Sequence, residues 1–381
     1  MHKISILHII PSLGIGGAET FMYRLINQDK SNLHCILCLK DKGYYGKKLE
    51  EEGYAVFALN LGINLNFLKS IQNLNLIFRS QKPEILNCWM YHGALFGTLI
   101  SFFFQVKGLV WLIRHSELNL QSTKISTLFV AKLCAFLSRH PKSIIYNSEE
   151  SKNVHENSGY DQQKSLVIGN GFKLDEFYPD KTDRLNLRKI LNIPENTLVF
   201  LHVARWHEDK DHETCLKSLA LFQLQHEIDW KIIFVGKGMD KTNTKLQELI
   251  VDNKLSERCI LLGERPNTKE LYNTADFTLL TSITESFPNV IGESMACATP
   301  CISSDVGSVR GLLLNPNWIF PIKDHNQMSM ILAKAILLKS KPEEWLKCKN
   351  ESRSLIEKKF SFQKKLRINY LPTDFYLIKL L

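Results

Sequence analysis

Short apolar runs alternate with helical patterns along this chain, and the alternation starts twice. In the first half, runs at 3–10, 33–39, 55–59, 85–88, 110–114 and 143–146 read as buried strands. Helical patterns at 18–28, 46–52, 66–80, 91–105 and 148–157 separate them. The pattern resumes with strands at 198–203, 230–235, 258–262, 277–280 and 300–303. Helices near 211–226, 241–253, 267–274 and 289–298 lie between these, and 326–339 and 342–358 close the chain. Repeated strand–helix–strand units specify a parallel, doubly wound sheet. With 381 residues, more than one hydrophobic core usually serves, the expectation is α/β with two Rossmann-like doubly wound domains facing a central cleft. The expected divisions are a first domain over 1–172, a linker over 173–194, a second domain over 195–358 and a tail over 359–381. The linker assignment rests on Pro179, Pro194 and the many charges around them, just after Gly171.

The formal net charge is +9, and it is unevenly spread. Residues 1–190 carry 23 Lys/Arg against 16 Asp/Glu, whereas the rest carry 25 against 23. A basic first half fits an anionic substrate, an anionic membrane surface, or simply a basic soluble protein. No recognition-helix, OB or RRM pattern accompanies the charge, so nucleic acid is not an expected partner. Nine cysteines show no disulfide framework, and Cys35-x-x-Cys38 sits inside an apolar run, as buried strand thiols do. Free thiols suit a reducing, cytoplasmic setting. The opening residues read as a first strand and not as a signal peptide. The longest apolar segment, 94–104, is about half a membrane span and reads as a buried helix.

Four constellations carry chemistry. Gly14-Ile15-Gly16-Gly17-Ala18-Glu19 follows a strand and opens a helix, where backbone N–H groups and the helix dipole favour an anion. Glu19 stands where a dinucleotide fingerprint needs its third glycine, which disfavours a nicotinamide enzyme; a structural turn fits the segment as well. Arg205 and Lys210 lie in the loop after the first strand of the second domain, a place where doubly wound sheets bind ligands, and two cations there suit a diphosphate. Asp209-Lys210-Asp211 has the letters of a metal motif, but Asp211 is placed to cap the next helix. Glu285 precedes a helix whose first N–H groups, at Asn289 and Val290 behind Pro288, are free for an anion, and Glu293 lies further inside it. Carboxylates on either side of a phosphate site suit the hydroxyls of a sugar and a ribose. His115, in Arg114-His115-Ser116, ends a strand of the first domain on its ligand-binding edge; a lone histidine there is as readily structural. His202, His207 and His212 are read as structural; His8 and His92 are read the same way but stay open, because they lie near cleft loops.

In order along the chain, these segments resemble the family 4 glycosyltransferases of GT-B fold, the retaining group that builds bacterial capsules, O-antigens and exopolysaccharides. The resemblance rests on GGAE at 16–19, IRHS at 113–116, YNSE at 146–149, VIGNGF at 167–172, VARWHEDKDH at 203–212, FVGKG at 234–238, LLGER at 261–265 and ESFPNVIGESMACATPC at 285–301. It departs from the usual pattern at Ser294, where Ala is common, at Gly169, and over 308–312. The resemblance implies donor contacts from Arg205, Lys210, Gly236, Arg265, Glu285, Ser286, Phe287, Pro288, Asn289, Val290 and Glu293. Within these, Arg205 and Lys210 would hold the diphosphate, Glu293 the ribose, Glu285 the donor sugar, and Arg265 would lie near the base. Gly16, Gly17 and His115 would line the acceptor side. Glu285, Lys210, Arg205 and His115 would be the catalytic set, with no metal and no cofactor.

The reaction implied is transfer from a nucleotide-sugar, with UDP the favoured base, onto a glycan or polyprenyl-diphosphate-linked acceptor with retention. The basic first half and the 94–104 segment also allow peripheral association with the inner face of the plasma membrane. A nucleotide-sugar epimerase on the same fold and a non-catalytic nucleotide-sugar-binding subunit are the alternatives. The resemblance further implies that the tail crosses back to the first domain.

Overall fold

The computed structural model describes residues 3–61, 67–115, 118, 124–313 and 315–361, apart from the side chains of 67–71. It divides into two units, with the break after Gly169.

The first unit runs β1 (Ser5–Ile10), α1 (Gly17–Gln28), β2 (Leu33–Cys38), α2 (Gly43–Glu51), β3 (Ala55–Ala58), α3 (Phe67–Gln81), β4 (Ile85–Trp89), α4 (Met90–Ser101), β5 (Gly108–Ile113), α5 (Ile125–Leu137), β6 (Ser143–Tyr146), α6 (Glu149–Asn157) and β7 (Ser165–Val167). Its strands pair in parallel in the order β3-β2-β1-β4-β5-β6-β7. β5 and β6 are buried along their whole length, as parallel strands covered on both faces must be. Leu7, Ile9, Leu37, Leu86, Trp111 and Ile144 build the core. Ser148 starts α6 by accepting the Ser151 N–H at 3.0 Å. Cys35 and Cys38 are free buried thiols on β2.

The second unit runs α7 (Lys181–Ile190), β8 (Leu198–Val203), α8 (His212–Gln225), β9 (Trp230–Val235), α9 (Thr244–Asp252), β10 (Cys259–Leu261), α10 (Lys269–Thr274), β11 (Phe277–Leu280), α11 (Asn289–Ala296), β12 (Cys301–Ser304), α12 (Val309–Leu312), β13 (Ile319–Phe320), α13 (His325–Lys339) and α14 (Pro342–Leu355). The parallel order is β10-β9-β8-β11-β12-β13. Its core gathers Phe200, Phe222, Trp230, Phe234, Phe277 and Ile302. Each sheet reverses its strand order once, between β1 and β4 in the first unit and between β8 and β11 in the second. Ligands of doubly wound sheets bind at such a reversal, outside the carboxyl ends of the strands.

Two expectations need correction. The stretch 173–194 is not a bare linker. Asp180 caps α7 through the Thr182 and Asp183 N–H groups. Two of its cations point inward: Arg184 and Arg188 reach buried Asp276 at 2.9 and 3.2 Å, where Lys339 from α13 joins them at 2.8 Å. Arg188 also donates to the carbonyls of Pro194, Glu195 and Thr197. Arg184 and Arg188 thus form internal pairs of the second unit while Lys181 and Lys189 stay exposed, and sequence spacing cannot distinguish the two kinds.

The apolar segment 94–104 is likewise only half buried. Tyr91, Ala94, Thr98 and Ile100 face inward, but Leu99, Phe102 and Phe103 face solvent. Of the expected tail, Phe360 and Ser361 pair with Phe172, whose N–H donates to the Phe360 carbonyl at 2.8 Å. Residues 362–381, and with them the expected crossing to the first domain, lie outside the described residues.

Candidate active site

The second unit's strand reversal is flanked by the loop after β8, holding Arg205 and Lys210, and the loop after β11, holding Glu285. The two loops are laced together. The Thr281 hydroxyl donates to the Lys210 carbonyl at 2.8 Å, and the Ile283 N–H donates to the Asp209 carbonyl at 2.7 Å. Across this seam the Lys210 ammonium meets Glu285 Oε1 at 2.5 Å, and the Ser282 hydroxyl donates to the same oxygen at 2.9 Å. Glu285 Oε2 makes no hydrogen bond among the described residues, so this carboxylate keeps one oxygen available to accept. Arg205 is exposed and forms no ion pair among the described residues.

The local sequence explains the loop shapes. Asp211 takes left-handed backbone, φ +45°, and caps α8 through the Thr214 N–H and hydroxyl at 3.2 and 2.6 Å. Short polar side chains tolerate that conformation. Both oxygens of the capping carboxylate are thereby engaged. His202 and His212 lie beneath the loop with rings 5.0 Å apart, and the His212 ring packs 4.9 Å from that of Trp206. Burial first, and the Lys210 charge second, lower the His212 pKa to about 4; burial, then His212 and Lys210, lower that of His202 as well. The Lys210 loop therefore rests on neutral imidazoles.

Gly236 ends β9 with φ +141°, and a Cβ there would lie 2.2 Å from the Ala204 carbonyl oxygen. Only glycine lets this turn approach the Arg205 loop, and the Trp206 N–H donates to the Lys237 carbonyl to join them. Gly236→Ala should therefore destabilise the protein by about 1–3 kcal/mol and weaken nucleotide binding. Thermal melts with and without nucleotide check this; an unchanged midpoint and an unchanged nucleotide response would remove Gly236 from the site's support. The Gly236 N–H also donates to the Gly263 carbonyl at 2.8 Å, which places exposed Arg265 two residues beyond that contact.

Pro288 is the N-cap of α11, one position before the expected first helical residue. No side chain caps the helix, so the Asn289 and Val290 N–H groups remain donors for an anion. The Asn289 side-chain oxygen accepts from Asn170 at 2.7 Å. Phe287 is buried between the rings of Phe172 and Phe360, each 6.1 Å away, which props the 285–288 turn. A Cβ on Gly292 would fall inside the Phe172 ring, so that glycine lets the ring lie against α11. Half-buried Glu293 accepts from the Tyr272 hydroxyl at 3.0 Å. Lys210, Glu285 and Ser282 are thus brought into direct contact. Arg265 and Glu293 are held by separate supports. Phe172, Phe360, Ser282 and Tyr272 are parts that motif reading missed; only the aromatic letters near the motifs hinted at the first two.

In the first unit, the glycine turn after β1 stands at the strand reversal, but its anion is internal. A Cβ on Gly16 would sit 2.4 Å from Glu19 Oε2, so the carboxylate folds back over the turn and bonds its own N–H. Burial raises the Glu19 pKa, as expected for a carboxylate drawn against a helix start without a cation. Gly17 is exposed as the first residue of α1. His115 is exposed just past β5, its ring stacked 5.8 Å from Tyr91 and its carbonyl accepting from the Ser151 hydroxyl. Met90, the first residue of α4, takes φ +61°, an uncommon conformation for a non-glycine residue and one that no motif announced.

The family model described as glycosyl transferases group 1 matches residues 183–353, nearly all of the second unit's described length. Residues 183–353 of the second unit are thus similar to that family. Likeness over the full length is distant. An Escherichia coli UDP-Gal:alpha-D-GlcNAc-diphosphoundecaprenol alpha-1,3-galactosyltransferase is 24% identical over 82% of this chain and 82% of its own. N-acetyl-alpha-D-glucosaminyl L-malate synthase from Bacillus anthracis is 30% identical, over 36% of this chain and 35% of its own. Among solved structures, Anabaena Alr3699/HepE in complex with UDP superimposes with TM-score 0.83 at 20% identity, covering 95% of this chain and 97% of that one. The fold is GT-B, with two Rossmann-like parallel α/β domains.

Proposed function

We propose that this chain is a retaining glycosyltransferase of bacterial surface-polysaccharide synthesis. It moves a sugar from a UDP-sugar to a glycan carried on a polyprenyl diphosphate, at the inner face of the plasma membrane and without a metal. The observation that carries the reading is the Lys210–Glu285 contact at the second unit's strand reversal, inside the stretch similar to the group 1 family. The choice of UDP is supported by the HepE complexes with UDP and with UDP-glucose. The lipid-linked acceptor is supported by the E. coli relative, whose acceptor is alpha-D-GlcNAc-diphosphoundecaprenol. Retention follows from the family resemblance.

In this reading negative charge grows on the leaving phosphate as the anomeric bond weakens. Lys210, Arg205 and the Asn289–Val290 N–H groups stabilise that charge where it develops. Glu285 Oε2 accepts a hydroxyl of the donor sugar, and Glu293, oriented by Tyr272, accepts from the ribose. Two cations and a helix start perform the role a metal has elsewhere.

A thermal-shift panel of UDP, GDP, ADP, CMP and NAD, with EDTA present, tests the donor claim. A ligand at a hundred times its dissociation constant adds roughly 2.7 kcal/mol. The expected result is a rise with UDP alone. A response to NAD alone, or to none of them, would refute the reading.

A further inference from the structure

We propose that the outer face of α4 and α5 is a membrane-docking surface that seats the first unit on an anionic bilayer. This extends the lipid-linked reading of the acceptor, but its evidence is independent of the donor site.

On an ordinary surface helix the large apolar residues face the core and polar ones face water. On α5 large apolar residues face water as well as the core, with Val130 and Leu137 packed inward. The small residues Ala131 and Cys134 are buried, while Ile125, Phe129, Leu133 and Phe136 are exposed at helical spacing along one stripe. Lys132 is the only charged residue within the helix. α4 packs beside α5 and adds Leu99, Phe102 and Phe103 to the face. The Phe102 ring meets His140 edge-on at 5.2 Å, so the ends of the two helices form one continuous patch. Phe103 and Phe136 are 83% and 81% exposed, too open for two large rings to be explained as core edges. Contiguous apolar surface of this kind marks an interaction site.

Charge selects the occupant. Exposed Lys124, Lys132, Arg139 and Lys142 rim the patch. From residue 85 to 148 the sequence carries six Lys/Arg and one acid, Glu117, so much of the chain's basic excess gathers here. A second copy of this chain, related by a two-fold axis, would bring two copies of this basic rim together. An anionic bilayer meets both demands, because phenyl rings enter the acyl boundary while Lys and Arg stay with the headgroups.

The test is flotation of the full chain with phosphatidylcholine vesicles, with and without roughly one third phosphatidylglycerol. Wild-type protein should float with the anionic vesicles and lose much of that binding at high salt. Phe103→Ser with Phe136→Ser should lower binding by at least about tenfold, as should Lys132→Glu with Arg139→Glu. Leu224→Ser, which removes an equally exposed apolar side chain on α8, should change nothing. UDP stabilisation is measured on the same samples, so a failed donor site and a failed docking face are told apart. No flotation of the wild type, or equal flotation of the phenylalanine variant, would overturn the proposal. A dimer in sedimentation that the phenylalanine variant dissolves would also overturn it, giving the face to a second copy.

Discussion

Lys210→Ala should lower turnover at saturating donor by about a hundredfold or more, the cost of removing one preorganised group that stabilises developing charge. The substitution is a clean one because the loop does not depend on the side chain. Its shape is held by bonds that do not involve the Lys210 side chain: the Thr281 hydroxyl on the Lys210 carbonyl, the Ile283 N–H on the Asp209 carbonyl, and the Asp211 cap on α8. The variant should therefore melt close to the wild type. Ground-state affinity should fall less than turnover, because charge on the leaving phosphate is greatest in the transition state. Glu285 retains its bond from Ser282, so the sugar-facing carboxylate stays positioned when the ammonium is gone. Initial rates of nucleotide release at saturating donor and acceptor are the measurement. Wild-type turnover in the variant would remove Lys210 from the catalytic set and leave Arg205 and the start of α11 to carry the leaving group.

The path from sequence to site was legible where one physical rule dominates. β8, β9 and β11 are mostly apolar runs between turn residues, and their ends were readable to the residue. The Asp211 cap was readable because a cap needs only one short acceptor at the right offset. Elsewhere a local pattern had a second, tertiary meaning. Lys181–Ile190 carries charges at the density of a linker, yet Arg184 and Arg188 converge on Asp276, almost a hundred residues away, and no local rule contains that partner. Gly16 and Glu19 sit in the letters of an anion site, but the carboxylate closes on its own helix start. The apolar letters of 94–104 cannot say which of them face a core until α5 is placed beside them, and α5 itself was not anticipated. The aromatic support of Phe287 by Phe172 and Phe360 joins residues distant in sequence, so it could only be read from the fold.

Stability should fall steeply as the solution is acidified from pH 6.5 toward 4, and buried histidines set that window. His155 is held by two hydrogen bonds: Nδ1 donates to the Ser151 carbonyl at 2.6 Å, and Nε2 accepts from the Tyr91 hydroxyl at 2.7 Å. Burial lowers its pKa to about 4, as it does for His212 in the second unit. His8 and His202 are shifted in the same direction by burial. In each case the folded state keeps the imidazole neutral, while the unfolded chain takes up a proton below about pH 6.5. Between those values the unfolded state binds more protons, so unfolding is favoured as pH falls, at about 1.4 kcal/mol per pH unit for each histidine. The contribution is intact above 6.5, and the pH dependence levels off once the folded histidine also protonates near 4. At pH 5 the loss is about 2 kcal/mol for His155 and about 2 kcal/mol for His212, one in each unit. Buried Asp29 does not share this window: burial would raise its carboxyl, but bonds from His34, Ser31 and Asn32 outweigh burial and hold it near 2, so its contribution is lost only in stronger acid. Glu19, raised by burial, offsets part of the loss as it protonates. Urea unfolding at pH 7.5 and pH 5.0 measures the drop, and the Tyr91–His155 bond predicts where it comes from. His155→Gln should cost stability at neutral pH while flattening the first unit's pH dependence by one proton. Equal unfolding free energies at the two pH values would show that these imidazoles are protonated in the folded state and that their burial does not govern acid stability.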